Sequence, residues 1–356
     1  MIAIQSSRLQ AIGLSHSLIN AVAALPEAAL PDMHLARIIE IQRDQLTLHD
    51  GLAEHHARTL PWLAAELHRA GCPLAVGDWV LAQTNALTEI WVAARVPPLN
   101  QLARRAGDGS RQPLVSNVDT ALLVMGLDHD YNPRRLERYL ALTHAAGVQA
   151  VVVLSKADIG ELVPERIAEL RARLPAQVPL LALNGLSGQA RAELQPWLGE
   201  GQTLVLLGSS GAGKSTLTNT LLENANQATS AVREGDSRGR HTTTARSLHR
   251  LPGGACIIDT PGLRTWRADA DAADVSASFE DIDTLATLCR FRDCQHHDEP
   301  GCAVRDAIDA DRLRNYHKLL REVERSQMTA LQRREAGQKW KAIGKAGNAR
   351  ARAKRM

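Results

Sequence analysis

The chain has 356 residues, 44% of them apolar, enough for two or three domains with sizeable cores. No apolar run approaches the roughly 18 residues of a membrane span, and the first thirty residues lack a charged start followed by an apolar core. A membrane protein and a secreted one are both disfavoured, and a cytoplasmic monomer is expected. Net charge is +3, yet residues 331–356 hold nine Lys/Arg and one acid, leaving 33 basic and 38 acidic residues elsewhere. A mildly acidic body with a basic tail points to a polyanionic partner.

Residues 1–33 read as an N-terminal extension. From 34 to 110 come short alternating runs, "LARIIEIQ", "QLTLHD", "DWVLAQ" and "EIWVAARV", parted by turn residues such as "AGCPLAVGD". A five-stranded oligonucleotide-binding (OB) barrel fits that length and rhythm. From 111 to 268 the rhythm changes. "TALLVMGLD", "VQAVVVLSKAD", "VPLLALNG", "GQTLVLLG" and "ACIIDTPG" are apolar strands, and helical stripes such as "RRLERYLALTHAAG" and "PERIAELRARL" alternate with them. That pattern predicts a parallel sheet covered on both faces. Residues 269–330 read as mainly helical, and 331–356 as a flexible basic tail containing Gly337, Gly344 and Gly347.

The chemistry sits at the strand ends, where ligands of open α/β sheets bind. "SKAD" supplies Ser155, Lys156, Ala157 and Asp158. Asp158 can accept hydrogen bonds from guanine N1–H and the 2-amino group, a donor pair that adenine lacks. Lys156 can lay its aliphatic stem over the base. One strand later, Asn184-Gly185 can offer a backbone N–H to guanine O6.

"GSSGAGKST" follows: Gly208, Ser209, Ser210, Gly211, Ala212, Gly213, Lys214, Ser215 and Thr216. It fits the phosphate-loop pattern, in which successive backbone N–H groups wrap a phosphate chain. Lys214 would bridge the terminal phosphates and Ser215 would place its hydroxyl on Mg²⁺. The polar stretch 232–248 then offers Thr243, with Thr242 next, as a metal-binding switch threonine. "DTPG" ends the series, with Asp259 facing Mg²⁺ through water and the Gly262 N–H facing the γ-phosphate.

Base-reading loops therefore come first and phosphate loop, switch and DTPG last. This is a guanine-nucleotide fold in rotated order, which a compact domain tolerates because its chain ends lie close together. Leu263 follows DTPG where many GTPases carry a water-orienting glutamine. His241, beside the threonines, is the nearest substitute, and slow intrinsic hydrolysis is expected.

Five cysteines are present, three of them crowded as Cys289-x₄-Cys294-x-His296-x₅-Cys302. Three thiolates and an imidazole suit one tetrahedral Zn²⁺ in a structural site. His297 competes with His296 on spacing alone. Cys72 and Cys256 stand apart and read as packing residues.

The ordered set "VGDWV", "SNVD", "LSKAD", "GSSGAGKSTL", "GRHTTT", "DTPGLR" and "CRFRDCQHHDEPGCAV" resembles the circularly permuted GTPases called ribosome small-subunit-dependent GTPase A. The likeness covers roughly residues 34–330. It implies an OB barrel, a permuted G domain, a zinc domain with His296 as the fourth ligand, and ribosomal RNA of the small subunit as partner. It also implies a role in late maturation of that subunit, which would stimulate hydrolysis of bound GTP to GDP. Two departures stand out. Ser155 replaces the usual Asn or Thr, so a loop-stabilising contact is expected to weaken, and Asn184-Gly185 replaces Ser-Ala. The competing readings are an RNA-binding scaffold that uses GTP only as a structural ligand, and an ATP-dependent enzyme, which S-K-A-D and DTPG disfavour.

Deleting 331–356 should weaken binding to small ribosomal subunits and flatten its salt dependence, because each neutralised phosphate releases counterions. GTP turnover without subunits should stay at the parental rate. Equal subunit binding by truncated and full chains at every salt concentration would reduce the tail to a solubilising segment.

Overall fold

The computed structural model describes residues 6–30, 32–106, 110–222, 246–260, 269–327 and 332. The first segment is not loose. Helices α1 (Ser6–Gln10) and α2 (His16–Ala23) bury Leu9, Ile12, Leu14, Leu18 and Val22. Ser15 caps α2, its hydroxyl accepting the Leu18 N–H at 3.3 Å.

Strands β1 (Met33–Gln42), β2 (Gln45–His49), β3 (Glu54–Thr59), β4 (Trp79–Thr84) and β5 (Ile90–Arg95) close a barrel in the order β1-β2-β3-β5-β4-β1. Helix α3 (Pro61–Arg69) joins β3 to β4. Only β3 and β5 run parallel. An irregularity between Ile38 and Glu40 lets β1 pair with β4 along its first half and β2 along its second. Alternation along β1 divides its side chains between two cores. Ala36 and Ile38 fill the barrel, while Leu35 and Ile39 join the core shared with α1, α2 and the main sheet.

The hairpin β6 (Gln101–Arg105) and β7 (Arg111–Ser116) follows, so the 110/111 boundary read from sequence falls inside a hairpin. It belongs to neither sheet, and buries Leu102 and Val115 in the main core.

The next region alternates β8 (Thr120–Gly126), α4 (Pro133–Ala145), β9 (Gln149–Ser155), α5 (Val163–Arg173), β10 (Leu180–Ala182), α6 (Gln189–Leu194), β11 (Thr203–Leu207), α7 (Lys214–Leu221), β12 (Ser247–Arg250) and β13 (Cys256–Asp259). Their order is β10-β9-β8-β11-β13-β12, parallel except for β12. Both faces are covered, so the strands read as unbroken apolar runs. Leu123, Met125, Val205 and Leu207 enter one core, and Leu122, Val124, Leu204 and Leu206 the other. One register pair, Glu40 with Ser247, joins β12 to the barrel's β1, making a continuous 11-stranded sheet.

The remaining helices are α8 (Ala272–Ala277), α9 (Glu280–Ala286), α10 (Ala303–Ala307) and α11 (Ala310–Gln327). Their core holds Val275, Phe279, Ile282, Val304, Tyr316 and Leu319, with Ala141 of α4. Charged pairs dock this unit on α4. Arg312 donates to Glu137 at 2.5 Å and to Asp281 at 2.7 Å, and Arg134 and Arg138 bond Asp311 and Glu322. Among the described residues, no helix is long and apolar enough to cross a membrane.

Barrel, N-terminal helices and main sheet meet at Arg37, which is fully buried. Its guanidinium donates to Ile12 O at 2.5 Å, Thr203 Oγ1 and Asn117 O at 2.9 Å, and Gly77 O at 3.3 Å. It lies 5.7 Å from the Trp79 ring centroid. Burial pulls its pKa down, opposed by Cys256, Asp119 and Asp78. Gly13 is required beside it: φ is +95° and a Cβ would stand 2.3 Å from Nη1. The motifs "VGDWV" and "SNVD" build this junction. Asn117 Nδ2 donates to Gly77 O at 3.0 Å, and the Thr203 N–H donates to Asp119 at 2.7 Å.

Arg37→Met should destabilise the protein by about 3 kcal/mol, because several buried acceptors lose their donor together. Arg37→Lys should be nearly as damaging, since an ammonium cannot span the four acceptors. Urea unfolding followed by circular dichroism checks this; a Lys variant with the parental midpoint would mean that charge alone suffices.

Candidate nucleotide site and metal centre

The sequence-predicted residues that are described converge on the carboxyl edge of the parallel strands. Here β8→β9→β10 progresses one way and β11→β13→β12 the other, so the crevice between β8 and β11 is the topological switch point. Residues 208–213 link β11 to α7, whose first turn has no side-chain cap and whose leading N–H groups have no intrahelical acceptor. Gly208 has to be glycine: a Cβ would lie 2.4 Å from Val124 O on β8.

Lys214 is buried, and its Nζ donates to Gly208 O at 3.0 Å and Ser209 O at 2.7 Å. The ammonium thus rests on the loop's own carbonyls. Burial lowers its pKa, while Asp259 and Asp130 oppose the shift. Ser215, one residue on, is exposed at the helix start. Ser210 and Gly211 line the outer turn of the loop, and Thr216, in the first turn of α7, lies beside Gly185.

Asp259 ends β13, buried among apolar strands. Burial pushes its carboxyl up, against Lys214, His249 and the Thr260 N–H. Its Oδ1 is buried without a hydrogen-bond partner among the described residues. An orphaned carboxylate oxygen beside a phosphate loop fits a hydrated Mg²⁺.

The base-reading loops lie alongside. Ser155 is buried, and its Oγ donates to Ala212 O at 2.6 Å. The smaller residue therefore still ties the strand end to the phosphate loop. Lys156, at φ +60°, points its ammonium to Asp128 at 2.7 Å, and Asp158 is exposed. The Ala157 N–H meets Leu183 O at 3.4 Å. Asn184 folds into a turn, its Oδ1 accepting the Leu186 N–H at 2.9 Å, and Thr220 of α7 donates to Gly185 O at 2.7 Å. His241, Thr242, Thr243, Gly262 and Leu263 lie outside the described residues.

A second centre forms in the helical unit. Ligand atoms of Cys289, Cys294, His296 and Cys302 all lie within 4.8 Å of one another. His296 Nδ1 stands 3.7 Å from Cys289 Sγ and 3.5 Å from Cys302 Sγ. A tetrahedral zinc with ordinary bond lengths sets sulfur and nitrogen ~3.5 Å apart, so the donor set fits. His296 reaches the cluster through a left-handed backbone, φ +60°. His297 turns away and stacks on His317 at 4.2 Å. The Arg305 N–H points at Cys302 Sγ from 3.4 Å. Burial would raise the Cys289 thiol, but N–H groups of Val304 and Ala303 outweigh it and hold the pKa below its ordinary value.

A family model described as RsgA GTPase matches residues 96–269. The chain is 46% identical over 308 residues to the small ribosomal subunit biogenesis GTPase RsgA of Xanthomonas axonopodis pv. citri (strain 306), covering 83% of this chain and 82% of that protein. This chain belongs to the RsgA GTPase family. The RsgA protein of Xanthomonas oryzae pv. oryzae (strain PXO99A) matches equally, at 46% over 308 residues. In fold, the chain is similar to YjeQ from Thermotoga maritima, with a TM-score of 0.58 and 21% identity over 82% of this chain and 98% of that one. It is also similar to YloQ, a circularly permuted GTPase, with a TM-score of 0.56 and 22% identity over 83% and 97%. The strand order and these neighbours together give this chain a circularly permuted GTPase fold. Sequence reasoning missed Asp128 and Asp130, which contact both nucleotide loops. Two acids in a polar loop carry no spacing signal that could have exposed them.

Ser155→Ala should leave the buried Ala212 carbonyl unpaired and destabilise the fold by about 1–2 kcal/mol, with Ser155→Thr near the parent because it keeps the hydroxyl. Thermal unfolding of the three proteins is the measurement. An Ala variant as stable as the parent would show that the tether contributes nothing.

Proposed function

We propose that this chain is a GTP-hydrolysing assembly factor of the small ribosomal subunit, acting late in its maturation, with hydrolysis stimulated by that subunit. The observation that supports the reading is the convergence on one sheet edge of the S-K-A-D loop, the G-S-S-G-A-G-K-S loop and a buried aspartate with an oxygen unpartnered among the described residues. Backbone N–H groups of 208–215 would wrap the phosphates, and Lys214 would exchange the Gly208 and Ser209 carbonyls for β/γ-phosphate oxygens. Asp158 would read the base edge, with Lys156, Ala157, Asn184 and Gly185 around the ring. Ser215, Thr243 and Asp259 would hold Mg²⁺, which neutralises phosphate charge when bound. His241 is the residue we assign to orienting water.

Cys289, Cys294, His296 and Cys302 would hold one Zn²⁺ in a structural role. We take the barrel as 34–110, the G domain as 111–268, the zinc domain as 269–330 and the tail as 331–356. Ribosomal RNA would meet the barrel, the zinc domain and the tail, and the protein would act in the cytoplasm as a monomer.

Multiple-turnover phosphate release with and without purified small subunits tests the proposal. Stimulation by subunits is expected, and absence of turnover under both conditions would favour a scaffold that merely binds GTP. Lys214→Ala should cut turnover at least a hundredfold, because the buried cation offsets charge on the transferring phosphoryl group. Asp158→Asn should lower affinity for GTP and raise it for xanthosine triphosphate; unchanged selectivity would remove Asp158 from the base site.

For the metal centre, purified protein should release one zinc per chain when its thiols are blocked with a mercurial, as read by a metallochromic dye. Cys302→Ser should lower that stoichiometry and loosen the helical unit. A metal-free protein that still docks α11 on α4 would argue against a structural ion.

A further inference from the structure

Four residues after β8, Leu127, Asp128, His129 and Asp130, touch both halves of the nucleotide site. The Leu127 N–H donates to Ser155 O at 3.0 Å, anchoring the loop on the end of β9. Asp128 Oδ2 accepts the Lys156 ammonium at 2.7 Å, and its Oδ1 accepts the Asp130 N–H at 3.1 Å. Asp130 Oδ1 accepts the Ser209 hydroxyl and Arg135 Nη2, each at 2.6 Å, and its Oδ2 takes the Gly126 N–H at 3.3 Å. Ser209 is buried, and the Asp130 side chain is only 10% exposed. Charge-assisted bonds of this length are stronger than neutral ones and fix orientation as well as distance.

We propose that Asp128 and Asp130 are paired positioning residues, one holding Lys156 of the base-reading loop and the other Ser209 of the phosphate loop. This rests on the guanine-nucleotide reading above. The geometry gives the pair a specific task. The two nucleotide loops are distant in sequence and hang from different strands. The span of a single guanine nucleotide, from base to terminal phosphates, requires them at a fixed separation. A short loop bonded to both sets that separation before ligand arrives, so binding loses less freedom on ordering the site. Both carboxylates are engaged by Lys156, Ser209 and Arg135, so their assigned role is positioning rather than catalysis.

The test is a double-mutant cycle on affinities for GDP and GTP, with steady-state kinetics alongside. Ser209→Ala and Asp130→Ala should each weaken both nucleotides about tenfold, the loss one buried charge-assisted bond predicts. The double variant should be no weaker than the worse single one, because both changes delete the same bond. Asp130→Asn should recover most of the loss, since its amide oxygen still accepts the Ser209 hydroxyl. Asp128→Ala should also weaken binding through Lys156, and because its Oδ1 holds the Asp130 N–H its factor and that of Ser209→Ala should not simply multiply. In turnover the losses should fall mainly on KM rather than kcat. Ser209→Ala with parental GDP affinity, or independent losses from Asp130→Ala and Ser209→Ala, would overturn the proposal. Should Asp130→Ala fail to fold, Ser209→Ala and Asp130→Asn decide it alone. A parent chain that binds neither GDP nor GTP would instead sink the nucleotide reading itself.

Discussion

A single guanidinium, buried where four segments of chain meet, fixes how the parts of this protein sit against each other. Arg37 belongs to the barrel, Ile12 to the N-terminal helices, Asn117 to the entry of β8 and Thr203 to the start of β11. A charge there is costly to desolvate, and no carboxylate forms an ion pair with it among the described residues. Neutral carbonyls and a hydroxyl satisfy it instead, each from a different stretch of chain. The site tolerates the cation only when all four stretches are in place. That condition turns an expensive burial into a demand for one arrangement, and it places β11, with the phosphate loop at its far end, in fixed relation to the barrel.

Helix α4 plays the matching part on the other side. Its first turn carries Arg135, bonded to Asp130 and so to the phosphate loop through Ser209. Its next residues bond α11 through Glu137 and Arg138. Helix α4 therefore links the loop carrying Asp130 to the helical unit, both of its sides held by charged pairs of low exposure. Rigid elements with satisfied polar contacts are a sound platform for a site that must meet a ligand without rearranging.

The sequence made the architecture legible where physics writes it locally. Strands such as β8 and β11, buried on both faces, appear as unbroken apolar runs, and the barrel strands appear as alternation. Nucleotide chemistry was legible because base edges and phosphates demand particular side chains at strand ends. What stayed hidden depends on distant partners. Leu9 and Leu18 sit on helices of five and eight residues, too short for a periodic stripe, Ile12 lies in the turn between them, and their burial needs the outer face of β1. The role of "SNVD" rests on Asn117 and Asp119 meeting residues far along the chain. The choice of His296 over His297 turns on one left-handed backbone conformation that spacing does not encode. Ser155 shows the reverse case: an apparent weakening in sequence becomes, in space, a 2.6 Å bond to Ala212.

The rotated strand order also has a mechanical meaning. The chain enters the GTPase sheet at β8 and leaves it at β13, and these are the two neighbours of β11 on either side. In an unrotated order the chain ends would lie elsewhere, and appended domains would tug on peripheral elements. Here the covalent load path between barrel and helical unit runs through the two strands that flank the phosphate loop's own strand. Tension between those outer parts, as when both grip one rigid surface, becomes shear along the ladders β8–β11 and β11–β13. Force directed along the strands falls on the evenly spaced hydrogen bonds of a parallel ladder together rather than one at a time. The loop after β11 thus hangs from the strand on which shear from either side converges.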